Sequence, residues 1–274
     1  MFRKHTPPPG VDVSVPHPGR VWNFWLGGRD FFAADRAAGE AISREFPHLA
    51  QTARAERAFG VRAVRFLAGP ARIGQFLDLG TGLPAGGNTH EIAQGIAPAA
   101  RIVCADHDPA IIMHAKTLLT DPMQASSPEG GVSYLDADLR DVAAVLAGAA
   151  ATLELTEPVA LIMLGVLGYL EDFGAARSIT SRLTDALPAG SYLLVADGVS
   201  ADPAVAEAQQ RYNQSAFAPP YLLRSPDQLA SFFDGLDLVE PGVVPCARWR
   251  PDVLGSGGSG DEWLAWCGVA RKGI

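Results

Sequence analysis

Residues 75–88, QFLDLGTGLPAGGN, constrain this chain more than any other stretch. An apolar run ends in Asp78-Leu79-Gly80-Thr81-Gly82, and two more glycines follow at Gly86 and Gly87. The pattern predicts a buried strand, a tight turn and then a helix. Glycine accepts positive φ angles and lets a ligand come close to the backbone. In an open α/β sheet, a turn beyond the carboxyl end of the first strand is where a nucleotide binds. Which nucleotide it holds depends on the acids around the turn.

From residue 73 onward, strand-like and helix-like runs alternate. Strands are expected at 73–79, 101–106, 132–135, 159–164 and 191–196. Helices are expected at 89–95, 109–119 and 141–146, with another that buries Ala176, Ile179, Leu183 and Leu187 at helical spacing. Pro109 suits a first helical turn. The 159–164 run is apolar throughout, as a strand covered on both faces should be. Residues 121–131 read as a loop. Helices near 203–213 and 226–233 then precede two β-prone runs, 236–244 and 262–270, joined by a Gly/Ser loop at 255–260. Strands without a helix between them can pair antiparallel.

Ahead of the sheet, residues 1–17 read as a flexible proline-rich arm. Residues 18–274 read as a single domain, with a helical cap at 18–70 and a Rossmann-like core at 71–274 ending in a β-hairpin. In the cap, Trp22, Phe24 and Trp25 mark a short apolar helix that Gly27-Gly28 stops. Asp30 stands where it can cap the next helix, in which Ala34, Ala38, Ile42 and Phe46 form one stripe before Pro47. A third helix is expected at 51–67, with Ala55, Phe59, Ala63 and Phe66 on one face.

Composition narrows the class. Hydrophobic residues are 48% and charged residues 19%, enough for an ordinary core. A net charge of −8 disfavours broad binding to nucleic-acid phosphates. Cys104, Cys246 and Cys267 form no CxxC pair, which fits a reducing cytoplasm. The longest apolar run, 159–170, is 12 residues, too short to span a bilayer. The six histidines show no metal-ligand spacing, and no GxSxG elbow is present. The expectation is a cytoplasmic protein with a small-molecule partner and neither metal, nucleic acid nor membrane. A homodimer is compatible with the chain.

Two acids select the ligand. Asp106 ends the second strand, 24 residues beyond Gly82, where a carboxylate accepts a ribose diol. NAD enzymes and adenosylmethionine enzymes share that feature. A dinucleotide fingerprint would be G-x-G-x-x-G. Here the third glycine arrives one place late, and Pro84 lacks an N–H. Asp78 would repel a pyrophosphate but suits the ammonium of a methionyl group. Asp138, at the end of the third strand, is placed to meet an adenine amino group, or alternatively to cap the helix that follows. The expected cofactor set is Asp78, Gly80, Thr81, Gly82, Asn88, Asp106, His107, Asp138, Leu139 and Leu164. Gly27, Gly28, Arg20 and Arg36 join it from the cap.

Several blocks resemble one family. They are RVWNFWLGGRDFFAADRAA at 20–38, FLDLGTGLPAGGNTHEIAQ at 76–94, IVCADHDPAII at 102–112, YLDADLRD at 134–141, PVALIMLGVLGYL at 158–170 and GLDLVEPGVVPCARWRPD at 235–252. Together they resemble the actinobacterial adenosylmethionine-dependent methyltransferases formerly grouped as DUF574. The resemblance implies a seven-stranded class I methyltransferase sheet in the order 3-2-1-4-5-7-6, strand seven antiparallel. It also implies S-adenosyl-L-methionine as cofactor and S-adenosyl-L-homocysteine as product. The family often has tyrosines in place of Trp22 and Trp25, and a histidine in place of Gly168.

The cap admits two readings. It is a packed amphipathic helix, or a lid whose aromatic face meets the sulfonium by a cation–π contact. Arg20, Arg29 or Arg36 could meet the methionyl carboxylate. A general base is needed where the acceptor must lose a proton. Asp197, Tyr169 and Glu171 are the candidates near the ends of strands four and five, Asp197 foremost. The alternatives to a small-molecule methyltransferase are an adenosylmethionine-binding regulator without turnover and an NAD-dependent oxidoreductase.

Overall fold

The strand ahead of the glycine turn becomes the centre of a sheet. In the computed structural model the described residues are 11–84, 86–120, 130–170, 172–200, 202–214, 220–251 and 265–273. The helices are α1 (Pro18–Trp25), α2 (Ala33–Glu45), α3 (Leu49–Ala68), α4 (Thr89–Ile96), α5 (Pro109–Thr120), α6 (Val142–Ala149), α7 (Phe173–Asp185), α8 (Pro203–Asn213) and α9 (Pro226–Ala230). The strands are β1 (Gln75–Leu79), β2 (Arg101–Asp106), β3 (Val132–Asp136), β4 (Ala160–Leu164), β5 (Tyr192–Gly198), β6 (Asp237–Leu238), β7 (Val244–Pro245) and β8 (Ala265–Arg271). Their order across the sheet is β3-β2-β1-β4-β5-β8-β6, with β7 also paired to β8. β1 to β5 are parallel, and β8 runs antiparallel to β5 from Tyr192↔Arg271 to Gly198↔Ala265.

This is the expected methyltransferase order with its sixth strand in two pieces. The run at 236–244 does not stay extended. Pro241 has no N–H for a ladder, and Gly242 turns at φ 85° while its N–H donates to Val239 O at 2.9 Å.

Both faces of the sheet are covered, because alternate strand residues point to opposite sides. Leu77, Leu161, Met163 and Val195 pack with Val145 of α6 and Ile179 and Leu183 of α7. Phe76, Ile102, Ile162 and Leu194 pack with Phe59, Ala63 and Leu67 of α3 and with Trp249. Burying each such large side chain contributes about 1.5–3 kcal/mol. Among the described residues no helix is long and apolar enough to cross a membrane.

The cap has its own small core of Val21, Trp25, Ala38, Ile42 and Phe46, joined by Ala53 of α3 and Tyr212 of α8. Trp25 Nε1 donates to Gly39 O at 3.2 Å, fixing α1 on α2. Asp30 does not cap α2. The helix starts two residues later than that role requires, with Phe32 at its N-cap. Asp35 reaches back instead: Oδ2 accepts the Phe32 N–H at 2.8 Å and Oδ1 accepts the His17 N–H at 2.9 Å. The Asp30 N–H goes to Asn23 Oδ1 at 3.0 Å. Residues 1–10 of the proline-rich arm, 121–129 of the expected loop, Glu171 and the 252–264 segment with its Gly/Ser loop lie outside the described residues.

Candidate active site

The glycine turn is pinned to the neighbouring strand. Gly80 and Gly82 take φ of 71° and 65°, the left-handed region that glycine enters without penalty. The N–H groups of Gly80 and Thr81 both donate to Ala105 O, at 2.8 and 3.2 Å. A side chain at Gly80 would run into Val166. The turn and Val166 both line a cleft of about 370 Å³ above the ends of β1, β2 and β4.

Asp106 is held on three sides. Its Oδ2 accepts the Gly82 N–H at 3.1 Å, and Oδ1 accepts from His107 N at 2.8 Å and Asp108 N at 3.0 Å. Oδ1 thus uses both of its lone-pair directions, while Oδ2 keeps one free for a hydroxyl. Asp78 is buried under the turn, where Oδ2 accepts the Thr89 hydroxyl at 2.6 Å. Burial raises its carboxyl above the usual range, and Thr89 and Arg57 oppose that shift. Asp138 stands on the rim, and both of its oxygens accept from Arg140, a contact that lowers its pKa. The N-cap of α6 is Asp141, not Asp138, with Oδ1 accepting Ala144 N–H at 3.0 Å.

Asp78, Gly80, Thr81, Gly82, Asp106, His107, Asp138, Leu139 and Leu164 thus share one cleft. Five expected residues stand outside it. Asn88 is the N-cap of α4, bonded to Glu91. Gly27 ends α1 at φ 81°, and Gly28 packs against the Asn23 side chain. Arg36 is exposed and pairs with Glu40 at 2.6 Å. Arg20 of α1 is buried, its Nε 3.5 Å from Asp35 and 3.6 Å from Asp108. Its role there is to brace the cap. His17 joins that brace, with Nδ1 2.9 Å from Asp108 Oδ2.

A cation in the cleft that its place in the sequence does not single out is Arg57 of α3. Its Nη2 donates to Gly86 O at 2.9 Å and to Asn88 Oδ1 at 2.7 Å. Its positive charge faces Asp78 and Glu91. Trp22 of α1, Leu26 just past its end, and Glu56, Gly60, Val61 and Val64 of α3 also line the cleft. Their spacing on α3 is visible in the sequence, but nothing local says that this face meets a ligand.

A second, smaller cavity of about 70 Å³ adjoins the cleft. Pro18, Trp22, Glu56 and Tyr169 line both. Its remaining wall is mostly apolar and aromatic, with Trp25, Phe46, Tyr212 and Tyr221. Asp197 lines neither cavity. It is wholly buried behind them, with Oδ2 accepting Gly168 N–H at 2.8 Å and Oδ1 accepting Gly198 N–H at 2.8 Å and the Tyr221 hydroxyl. Burial raises its pKa against those contacts and Arg224. The Tyr221 ring fills the space that a side chain on Gly168 would need.

The donor set fits an adenosyl amino acid. It has one acid for a diol, one arginine for a carboxylate and a buried acid near the turn. Among the described lining residues, Arg57 and Arg140 are the only arginines or lysines, and Asp138 already holds Arg140, which is sparse for a pyrophosphate.

The comparisons with known proteins agree. The S-adenosyl methyltransferase family matches residues 4–273. A DUF574 family protein from Streptomyces avermitilis is 40% identical, with a TM-score of 0.88, over 95% of this chain and 99% of that one. A candidate methyltransferase from Thermobifida fusca is 37% identical, with a TM-score of 0.86, over 98% of this chain and 99% of that one. The N-methyltransferase NodS from Bradyrhizobium japonicum, solved with S-adenosyl-L-homocysteine, shares the fold at 17% identity, with a TM-score of 0.50 over 81% of this chain and 87% of that one. No protein with a curated description matches. The turn, the acids that face it and these likenesses lead to one assignment: the chain belongs to the S-adenosyl methyltransferase family, a class I methyltransferase that uses S-adenosyl-L-methionine.

Proposed function

We propose that this enzyme methylates a small molecule seated in the aromatic cavity, by in-line transfer across the wall it shares with the cofactor cleft. The observation that carries this reading is the junction itself, where Trp22, Glu56 and Tyr169 line both spaces. Both cavities are concave and mostly apolar with a few polar groups, as small-molecule sites are. The bound cofactor supplies a methyl group already activated by its sulfonium. What the chain contributes is alignment and exclusion of water, which carry much of the rate in such a transfer.

In this reading Asp106 takes the ribose hydroxyls, and His107, Asp138 and Leu139 flank the adenine. Arg57 takes the carboxylate of the methionyl tail, and Asp78 faces its ammonium. Thr81, Gly80 and Gly82 give the backbone its close approach. Leu164 closes the floor, and α1 acts as a lid with Trp22 toward the sulfur. Gly27, Gly28 and Arg20 hold that lid, Asn88 holds Arg57, and Arg36 stays on the surface. Asp197 is a positioning residue that fixes Gly168 and Tyr221. Tyr169 separates the two spaces. Residues 18–274 work as a single domain with 18–70 as cap, and the buried, unpaired cysteines support a cytoplasmic setting.

The test is release of S-adenosyl-L-homocysteine when the enzyme meets fractions of cell extract split by size. Turnover confined to the fraction below about 1 kDa, which holds ligands of the size such cavities take, supports the reading. Turnover confined to protein or nucleic acid would overturn it.

A further inference from the structure

Glu56 is 3% exposed, yet it lines both cavities. Its Oε1 lies beside the end of β4. A β-carbon on Gly165, which has φ 64°, would come within 2.9 Å of that oxygen and 3.9 Å of Trp22. Among the described residues no hydrogen bond or ion pair reaches the Glu56 carboxyl. Protein interiors pair such groups, because an unpartnered buried carboxyl is costly. A ligand entering either cavity can supply that partner.

The chemistry of the wall narrows that partner. Among the described residues lining the smaller cavity, Glu56 is the only charged one. Trp22, Trp25, Tyr169 and Tyr221 surround it with rings, whose faces attract cations. Asp197 of β5 adds a second acid nearby, and burial with that neighbour raises the Glu56 pKa well above the usual carboxyl range. Tyr169, Tyr221 and Cys246 also feel the Glu56 charge, and burial raises the pKa of all three, which keeps them neutral. An anionic acceptor adds negative charge where two acids already stand, and a neutral hydroxyl brings none of the positive charge that the carboxylate and the ring faces attract. An ammonium brings the opposite charge.

We propose that the acceptor is an amine on a small aromatic or apolar body, held as its ammonium by Glu56, which then takes the proton that frees the nitrogen lone pair. This rests on the methyl-transfer reading above. One N–H bond breaks, and its proton passes to a Glu56 carboxylate oxygen. The lone pair forms the N–C bond as the sulfur–methyl bond breaks, and that bond's electron pair stays on sulfur. The product leaves as a methylated ammonium, and Glu56 returns its proton to water.

The test is calorimetry on the protein saturated with S-adenosyl-L-homocysteine, using phenethylamine, phenethyl alcohol and phenylacetate as probes of similar shape. The amine titration is repeated in buffers of different ionisation enthalpy. The wild-type protein is expected to bind the amine at least tenfold tighter than the alcohol, with phenylacetate weakest. Amine binding should release up to one proton, since a cation draws Glu56 to its ionised form. Glu56→Gln should lose both the preference and the proton release while keeping its homocysteine-cofactor affinity within twofold. Glu56→Asp should keep the proton release with weaker binding, and thermal denaturation of each variant reports that it is folded. Equal or tighter binding of the alcohol or acid, no binding of the amine, or an unchanged preference in Glu56→Gln would overturn the proposal. So would a tenfold loss of S-adenosyl-L-homocysteine affinity in Glu56→Gln, which would assign the carboxyl to the donor's own ammonium. Failure of the wild type to bind S-adenosyl-L-homocysteine would overturn the cofactor reading itself, and is seen before any probe is added.

Discussion

Asp106 Oδ2 accepts the amide N–H of Gly82 at 3.1 Å, so the acid that ends β2 is fastened to the turn that ends β1. The bond spans 24 residues and joins the two features that most narrowed the ligand. With His107 N–H and Asp108 N–H on its other oxygen, the carboxylate is oriented before any nucleoside arrives. Asp106→Asn replaces one acceptor oxygen with a donor. It should weaken S-adenosyl-L-homocysteine binding by about 1.5–3 kcal/mol, the scale of charged hydrogen bonds. Calorimetry reads this directly, and unchanged affinity would place the ribose elsewhere.

Arg57 should act on one part of the cofactor alone. Arg57→Met keeps the stem of the side chain and removes the charge. The affinity for S-adenosyl-L-homocysteine should fall by about 1.5–3 kcal/mol. The affinity for 5′-methylthioadenosine, which has no amino-acid tail, should change little. An equal loss for both ligands would mean that Arg57 shapes the turn rather than holding a carboxylate.

The cap is tied to the core through His17, Arg20, Asp35 and Asp108. Burial pushes the Asp108 carboxyl up, but His17, the Ala110 N–H and Arg20 together outweigh it and leave the pKa below the usual value. A depressed carboxyl stabilises the fold above its unfolded pKa of about 3.9, and that contribution is lost as pH falls through the folded value. Asp35 has the opposite sign, raised chiefly by burial. Asp108→Asn should therefore lower the melting temperature at pH 7, with a loss of about 1.5–3 kcal/mol. The gap to wild type should narrow below pH 4. A gap that stays constant down to pH 3 would remove the ion-pair account of the latch.

Gly168 and Tyr221 are coupled by space. The Tyr221 ring occupies the room that a residue-168 side chain would need, and its hydroxyl bonds to Asp197. Gly168→Ala should destabilise by about 1–3 kcal/mol, as overpacking does. In a Tyr221→Ala background the same change should cost less, and a double-mutant cycle should show coupling of about 1 kcal/mol or more. Additive effects would mean that the ring yields freely.

Much of this arrangement was legible in the chain. The parallel core followed from apolar runs alternating with helical stripes, and Asp78, Asp106 and Asp138 from their places at strand ends. Those signals are local, because the fold brings strand ends to one edge whatever lies between. Glu56 and Arg57 were not legible. They lie on α3, a helix whose stripe of Ala55, Phe59, Ala63 and Phe66 explained its packing. Thr52, Glu56, Gly60 and Val64 are buried as well, because α3 touches the sheet and the ligand spaces on different faces. A charged residue beside an apolar stripe reads as solvent-facing until tertiary structure covers it. Asp30 failed as a cap for a related reason, since Asp35 reaches the same helix end from inside the first turn. The split of the sixth strand was marked by Pro241-Gly242, a pair that interrupts any ladder.

The most direct test is a crystal structure with S-adenosyl-L-homocysteine bound. The account predicts the ribose diol on Asp106, the tail carboxylate on Arg57, and the sulfur beside Trp22 and Glu56 with its open side toward the aromatic cavity. A sulfur facing away from that cavity, or a ribose held by a residue other than Asp106, would contradict it.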